Sequence, residues 1–358
     1  MHIFAVSNQK GGCGKTTTAI NAAASLASLG KKTLVIDLDP QAHATFGLGV
    51  QSDRLEASIY NVLTQNPERR KNFLENVIVP VDANLDLAPS HILLATIEQE
   101  FTSRDEAVSK LREALVNLSF PYDFVFIDCP PSLGFLTFNA LRAAHTVIVP
   151  VELGSFSLMG VGKLLSMIEL LRLKMRHALK VYALATMVDA RTRFARHMND
   201  EIRRTFGDHI FSAVIRQAVA VKESQAKGVP VLSHDPKSRG ALDYLLLGRE
   251  ILDKTSATLL PVEANGKSSL PSNLLRDFIV KAAGAKEVHL VGDFNNWLVS
   301  SDSVLWQKEE GLWQKRLFLE PGRYRYKFVV DGEWTTDPAN DQIEPNPYGG
   351  ADSVLEIR

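Results

Sequence analysis

The chain has 358 residues, of which 45% are hydrophobic and 23% charged, and its formal net charge is −1. That length exceeds what one hydrophobic core usually serves, so two domains are expected. The balanced charge excludes a protein coated in positive charge, though not a local basic patch. The two cysteines, Cys13 and Cys129, lie far apart and outside any metal-ligand spacing, which fits a reducing cytosol better than a disulfide-stapled secreted fold.

The N-terminal MHIFAVSNQKGG leads straight into a strand and a glycine-rich loop, so no signal peptide is expected. No apolar run reaches about 18 residues, which predicts a soluble, cytoplasmic chain without a transmembrane helix. Up to about residue 258, short β-branched runs alternate with longer helical patterns. Strands are predicted at Ile3–Ser7, Thr33–Asp37, Phe124–Asp128, Thr146–Val151 and Val181–Met187. Each is nearly all apolar, as in strands covered on both faces of a parallel sheet. Helices are predicted at Thr16–Leu29, Arg104–Leu118, Val161–Leu173 and Arg196–Phe206. The alternation means an α/β sheet with crossover connections.

After residue 258 the pattern changes. Residues 259–275 read as a linker, because EANGKSSLPSN is rich in small, polar and breaker residues. Residues 276–358 then run strand after strand: Val288–Val291, Gly311–Leu319, Arg323–Val330 and Ser353–Ile357, with Pro321-Gly322 and Asp331-Gly332 as turns. In Arg323–Val330, Tyr324, Tyr326, Phe328 and Val330 share one face and Arg323, Arg325 and Lys327 the other. A small all-β sandwich, immunoglobulin-like in build, is expected behind the mostly parallel α/β domain.

The strongest chemical signal is Lys10-Gly11-Gly12-Cys13-Gly14-Lys15-Thr16-Thr17, set between a strand and a helix. Glycines let successive backbone N–H groups turn inward and cradle phosphate oxygens. Lys15 supplies a point charge to the β- and γ-phosphates of ATP, and the Thr16 hydroxyl suits Mg2+. The following helix aims its positive end at the same place. The general pattern GxxxxGK[ST] would put its first glycine at position 9, where Gln9 stands; instead Lys10 lies inside the loop.

That loop, KGGxGKTT, resembles the deviant Walker A segment of the ParA/MinD ATPases, and the resemblance extends over residues 1–258. Ile36-Asp37-Leu38-Asp39-Pro40-Gln41 resembles the family's second acidic motif, and Phe126-Ile127-Asp128-Cys129-Pro130-Pro131 its Walker B segment. Thr186-Met187-Val188-Asp189-Ala190-Arg191-Thr192 and Asp235-Pro236-Lys237-Ser238-Arg239-Gly240 are similar to further ParA signatures. The resemblance implies an Mg2+-dependent ATP hydrolase that forms a homodimer on ATP. It assigns Lys10 to the partner's nucleotide, Asp39 to the attacking water, and Asp37 and Asp128 to magnesium and the switch loops; Met187 joins the nucleotide site. A plain N-cap before Pro40 is the other reading of Asp39.

The resemblance also implies non-specific DNA binding, nucleoid association and a ParB-like or cargo-adaptor activator. The DNA candidates are Arg191, Arg193, Arg196, Arg216 and Lys222; a solvated helix face would read the same way. The family's Pro-Arg-Asn-Val-Arg segment is here Arg216-Gln217-Ala218-Val219-Ala220, and Glu152 replaces a usual glutamine. The chain closes on a β-domain rather than an amphipathic helix, so no membrane binding is expected. That domain, with VHLVGDFNN, Trp297, GRYRYKFVVDGEWTTDP and GGADSVLEI, resembles the glycogen-binding modules of branching enzymes and the AMP-activated protein kinase β subunit. The resemblance assigns α-glucan contacts to Trp297, Lys327 and Trp334, with Asp352 where the family has asparagine. The alternative places both tryptophans in a core or protein interface. Two functions follow: a ParA-like ATPase that positions a replicon or other cellular body, or an ATP-switched adaptor of carbohydrate metabolism that leaves DNA alone.

Overall fold

The computed structural model describes residues 1–64, 74–101, 108–119, 121–153, 159–175, 177–189, 198, 200, 202–204, 206–256, 275–300, 303–309, 311–319 and 322–357. The chain divides into two compact units, Met1–Leu270 and Pro271–Arg358.

The first unit is an eight-stranded sheet in the order β3-β4-β2-β5-β1-β6-β7-β8. Its strands are β1 (His2–Val6), β2 (Thr33–Asp37), β3 (Val79–Asp82), β4 (Leu85–Ala88), β5 (Phe124–Asp128), β6 (Thr146–Glu152), β7 (Lys180–Val188) and β8 (Ile210–Arg216). All pairs are parallel except β3 with β4, so the strand ends that carry the motifs share one edge. The helices are α1 (Lys15–Ser28), α2 (His43–Gly47), α3 (Ile59–Thr64), α4 (Lys110–Val116), α5 (Phe135–Ala143), α6 (Met159–Met175), α7 (Val219–Lys227), α8 (Val231–His234) and α9 (Arg239–Ser256).

Hydrophobicity explains the centre of this unit. Phe4, Val6, Val35, Phe126 and Ile148 of neighbouring strands pack with the buried alanines of α1. Small side chains on α1 let α9 approach closely: a methyl group built on Gly248 would meet the Ser25 Cβ at 2.9 Å. The outer strand β8 is closed differently. The Glu250 carboxylate of α9 accepts from the Ser212 and Ala213 N–H groups at 2.8 and 2.9 Å. At the opposite margin, β3 carries Pro80.

The predicted elements shift by a residue or two. Ile3–Ser7 becomes His2–Val6, Val181–Met187 becomes Lys180–Val188, and Thr16–Leu29 becomes Lys15–Ser28. Arg104–Leu118 is helical over Lys110–Val116, while residues 102–107 lie outside the described residues. Of Arg196–Phe206, the described positions 198, 200, 202–204 and 206 are helical.

The second unit is all-antiparallel. One sheet has the order β11-β12-β9, formed by β9 (Leu275–Lys281), β11 (Trp306–Glu309) and β12 (Leu312–Phe318). The other orders β10 (Val288–Gly292), β13 (Gly322–Val330), β16 (Ala351–Ile357) and β15 (Ile343–Pro345), with β14 (Glu333–Thr335) on β13. Phe278, Val280 and Trp313 from the first sheet meet Leu290, Tyr326, Phe328 and Ile357 from the second in one core. The alternation read in β13 holds for Tyr326 and Phe328, but Val329 is buried as well, so this strand is covered on part of both faces.

Candidate active site and glucan surface

The loop after β1 reaches its shape through glycine. Gly12 and Gly14 sit at φ +74° and +90°, the left-handed region where a side chain is strained. A Cβ at Gly11 or Gly12 would meet nothing within 4 Å, so the loop is open beside both residues. Helix α1 begins immediately after, with Gly14 as an N-cap that offers no side-chain acceptor. Its first-turn N–H groups are left for an anion. Lys15 is only 7% exposed, and its Nζ donates to the Lys10 carbonyl at 3.0 Å. Cys13 is buried, its Sγ 3.2 Å from the same carbonyl, and burial pushes its thiol up. Cys129 is buried too, with its thiol pushed up by the same cause. Neither is a ready nucleophile.

Acidic residues meet this loop from the neighbouring strand ends. Asp37 and Asp128 are register partners on β2 and β5, and both are fully buried. Asp37 accepts from the Asp39 N–H at 3.1 Å and from the Thr45 N–H and hydroxyl at 2.8 and 2.7 Å. Burial nevertheless pushes its carboxyl up to about 6. Asp128 is raised well above the usual carboxylate range by burial and then by the Asp37 charge, with the Thr16 hydroxyl and Lys15 pulling the other way. Apart from the Thr16 hydroxyl, no protein group hydrogen-bonds the Asp128 oxygens. Such a sparsely bonded carboxylate beside a threonine hydroxyl is the donor chemistry of a hard divalent cation. Among the described residues no group of three or more His, Cys, Asp or Glu side chains is arranged to hold a metal. Magnesium needs no such cage when phosphate oxygens complete its shell.

Asp39 is 6% exposed, and its Oδ1 accepts from the Gln41 N–H at 2.9 Å. Helix α2 begins later, at His43, with Ala42 as its N-cap. Asp39 therefore closes a short turn rather than capping that helix. Met187, in the left-handed region at φ +55°, lies beyond the end of the loop, its Cε 3.7 Å from where a Gly14 Cβ would stand. The Thr186 hydroxyl clamps the Cys13 carbonyl at 2.9 Å. Lys10 turns onto Glu152 at the end of β6, 2.6 Å away. Thr45 and the Lys10–Glu152 pair were not legible in the sequence as parts of this site.

Two of the five basic candidates, Arg216 and Lys222, are among the described residues. Arg191, Arg193 and Arg196 lie outside the described residues. Lys222 is exposed on α7. Arg216 makes a bidentate pair with the buried Asp243 carboxylate, at 2.5 Å in its shortest contact. Its charge is thus engaged within the chain.

In the second unit Trp297 is half-buried and follows Asn296; both have positive φ, 59° and 52°. The Trp297 Nε1 donates to Asp293 at 3.0 Å. Its ring lies 6.4 Å from that of Trp334 at 24°, and Trp334 is 49% exposed. This answers the core alternative: the two indoles form an accessible aromatic face. Lys327 lies 3.6 Å from Asp352, which also accepts from Asn346 at 2.8 Å. Asp352, which stands where the family has asparagine, is 5% exposed with its carboxylate turned onto Lys327. The same turn carries Tyr348, 95% exposed and overlooked in the sequence, where a lone tyrosine among turn residues has no pattern to mark it.

A phosphate-shaped loop opening a helix, with a buried lysine and paired acids on adjacent strand ends, defines a P-loop nucleotide hydrolase. A family model described as an AAA domain matches residues 1–181, and one described as the glycogen recognition site of AMP-activated protein kinase matches residues 278–358. The chain is 38% identical over 250 residues to the sporulation initiation inhibitor protein Soj of Bacillus subtilis, covering 70% of this chain and 97% of Soj. It is also 38% identical over 254 residues to the chromosome partitioning protein ParA of Myxococcus xanthus, covering 70% of this chain and 88% of that protein. Cobyrinic acid a,c-diamide synthase from Mycobacterium smegmatis, solved with ADP and magnesium, superposes with a TM-score of 0.62 at 32% identity, over 74% of this chain and 99% of the synthase. The chain belongs to the ParA/MinD family of P-loop ATPases.

Proposed function

We propose that the chain is an ATP-driven positioning switch. It hydrolyses ATP with magnesium, dimerises on ATP, binds DNA without sequence preference, and segregates or positions a cargo whose adaptor stimulates hydrolysis. Its second unit tethers α-glucan. The observation that carries this reading is the meeting of a glycine loop open beside Gly11 and Gly12, a buried Lys15 and the sparsely bonded Asp128 at one sheet edge.

Thr16 and Asp128 would hold the magnesium ion, with Asp37 behind them. When bound, magnesium neutralises charge on the phosphate oxygens. The loop N–H groups and the start of α1 bind and orient the phosphates, and Lys15 adds positive charge between them. Asp39, already fixed through Oδ1, would orient a water with Oδ2. Lys10 would serve the nucleotide of the second protomer.

For DNA, Arg191, Arg193, Arg196 and Lys222 remain the proposed contacts. The engagement of Arg216 by Asp243 favours the second reading, an ATP-switched adaptor of carbohydrate metabolism that does not touch DNA. One experiment separates the two: retention on DNA and on glycogen, each with and without Mg-ATP at low salt. ATP-dependent DNA retention supports the positioning switch. Glycogen retention with no DNA retention in either state supports the adaptor.

A further inference from the structure

The geometry points to Glu152 as an internal clasp on Lys10 that restrains assembly of two chains. The inference rests on the proposed role of Lys10 toward a partner's nucleotide.

The backbone of Lys10 is pinned. Its N–H donates to Asn8 Oδ1 at 3.1 Å, and its carbonyl accepts from Lys15 Nζ at 3.0 Å and Cys13 Sγ at 3.2 Å. Asn8 is itself tied to β6 through the Pro150 carbonyl at 2.7 Å. Only the side chain is left to choose a direction, and it lies on Glu152, 2.6 Å away. Glu152 ends β6, and its register partner is Thr186, the residue that clamps the Cys13 carbonyl. The clasp is therefore built on the same strand ends that shape the cradle.

Both charges remain about a third exposed, at 34% and 38%. A pair of that exposure is weak enough to open and strong enough to bias an equilibrium by about fivefold. While it is closed, the Lys10 ammonium is spent within its own chain. When it opens, the ammonium is free for a second chain, and the bared carboxylate stands at the mouth of an anion site. The attraction between the two freed charges favours reclosure once the phosphates leave.

The test compares the full-length protein with Glu152→Gln, which keeps the shape and removes the charge, and with Glu152→Ala. Matching thermal midpoints establish that all three are folded. In the nucleotide-free protein, amine acylation of Lys10 read by peptide mass spectrometry should be about fivefold faster in both variants. With magnesium and AMPPNP, light scattering should find dimers at up to about 25-fold lower protein concentration, because each dimer opens two clasps and the fivefold bias counts once per chain. Unchanged acylation overturns the clasp. Faster acylation with an unchanged or weakened dimer shows that the pair exists but does not restrain assembly, which also overturns the proposal. If wild type and variants all stay monomeric with AMPPNP, the dimer reading itself falls, and the clasp's function with it.

Discussion

Lys15 is sealed from water and points at a carbonyl its own loop supplies, so no neighbouring cation can substitute for it. Lys15→Ala should lower ATP turnover by about 10²-fold or more, the usual consequence of deleting a preorganised charge at a transferring phosphoryl group. Phosphate release at saturating ATP measures it; wild-type turnover in the variant would remove Lys15 from the site.

The acids make a prediction with a definite sign. Asp37 is raised to about 6 in the fold, and Asp128 is raised as well. A carboxyl that binds its proton more tightly when folded stabilises the fold fully below its unfolded value of about 4, and that contribution is lost as pH rises through about 6. The ligand-free thermal midpoint should therefore fall across that interval, and Mg-ATP should restore more of it at pH 7.5 than at pH 5.5. Asp128→Asn removes the buried charge and should raise the ligand-free midpoint at pH 7.5 by roughly 2–4 °C, about 1 kcal/mol in a domain of this size. It should also weaken the dependence of nucleotide binding on magnesium. Calorimetric scans at both pH values check both effects.

At the scale of elements, the Asn296–Trp297 turn stands out. Two successive non-glycine residues in the left-handed region cost about 1–3 kcal/mol each. The turn is held where Trp297 meets Asp293 and lies beside Trp334. Trp297→Ala with Trp334→Ala should leave the second unit folded by circular dichroism while glycogen co-sedimentation of the full chain drops at least severalfold. Each stacked sugar ring is worth on the order of 1 kcal/mol, comparable to other aromatic contacts. Equal pelleting would reassign the indole face to a protein partner.

The long apolar runs Thr33–Asp37 and Phe124–Asp128 were legible because burial on both faces leaves an unbroken hydrophobic signal. β4 was not: Leu85-Asp86-Leu87-Ala88 is short, and its aspartate is satisfied by the distant Tyr122 hydroxyl at 2.7 Å. β9 begins at Leu275, the last residue of the expected linker, and its pairing with β12 is what makes it a strand. In the site, the cradle was legible because its three glycines fall within four residues, directly before Lys15 and Thr16. The Lys10–Glu152 pair joins residues 142 positions apart, which no local pattern encodes.

For the whole molecule, the proposed DNA contacts are electrostatic, so retention with Mg-ATP should fall steeply between about 50 and 200 mM salt. Arg216→Ala should change that slope little, because its guanidinium is held by Asp243. Arg193→Glu with Arg196→Glu should remove retention and spare basal hydrolysis. Filter binding across a salt series measures all three, and a flat salt dependence would argue against phosphate contacts.

Three of the sheet margins bear on how densely this protein can gather. An open strand edge offers bare N–H and C=O groups to any neighbouring chain, and crowding on a shared support multiplies such encounters. Here β3 carries Pro80, β15 is three residues long and ends in Pro345, and Glu250 occupies the outward N–H groups of Ser212 and Ala213 on β8. Glu250→Ala would uncover that last row while leaving the cradle untouched. At high protein concentration the variant should develop thioflavin-positive aggregates sooner than wild type. However densely the chain is gathered, these three margins resist knitting to a neighbour's sheet.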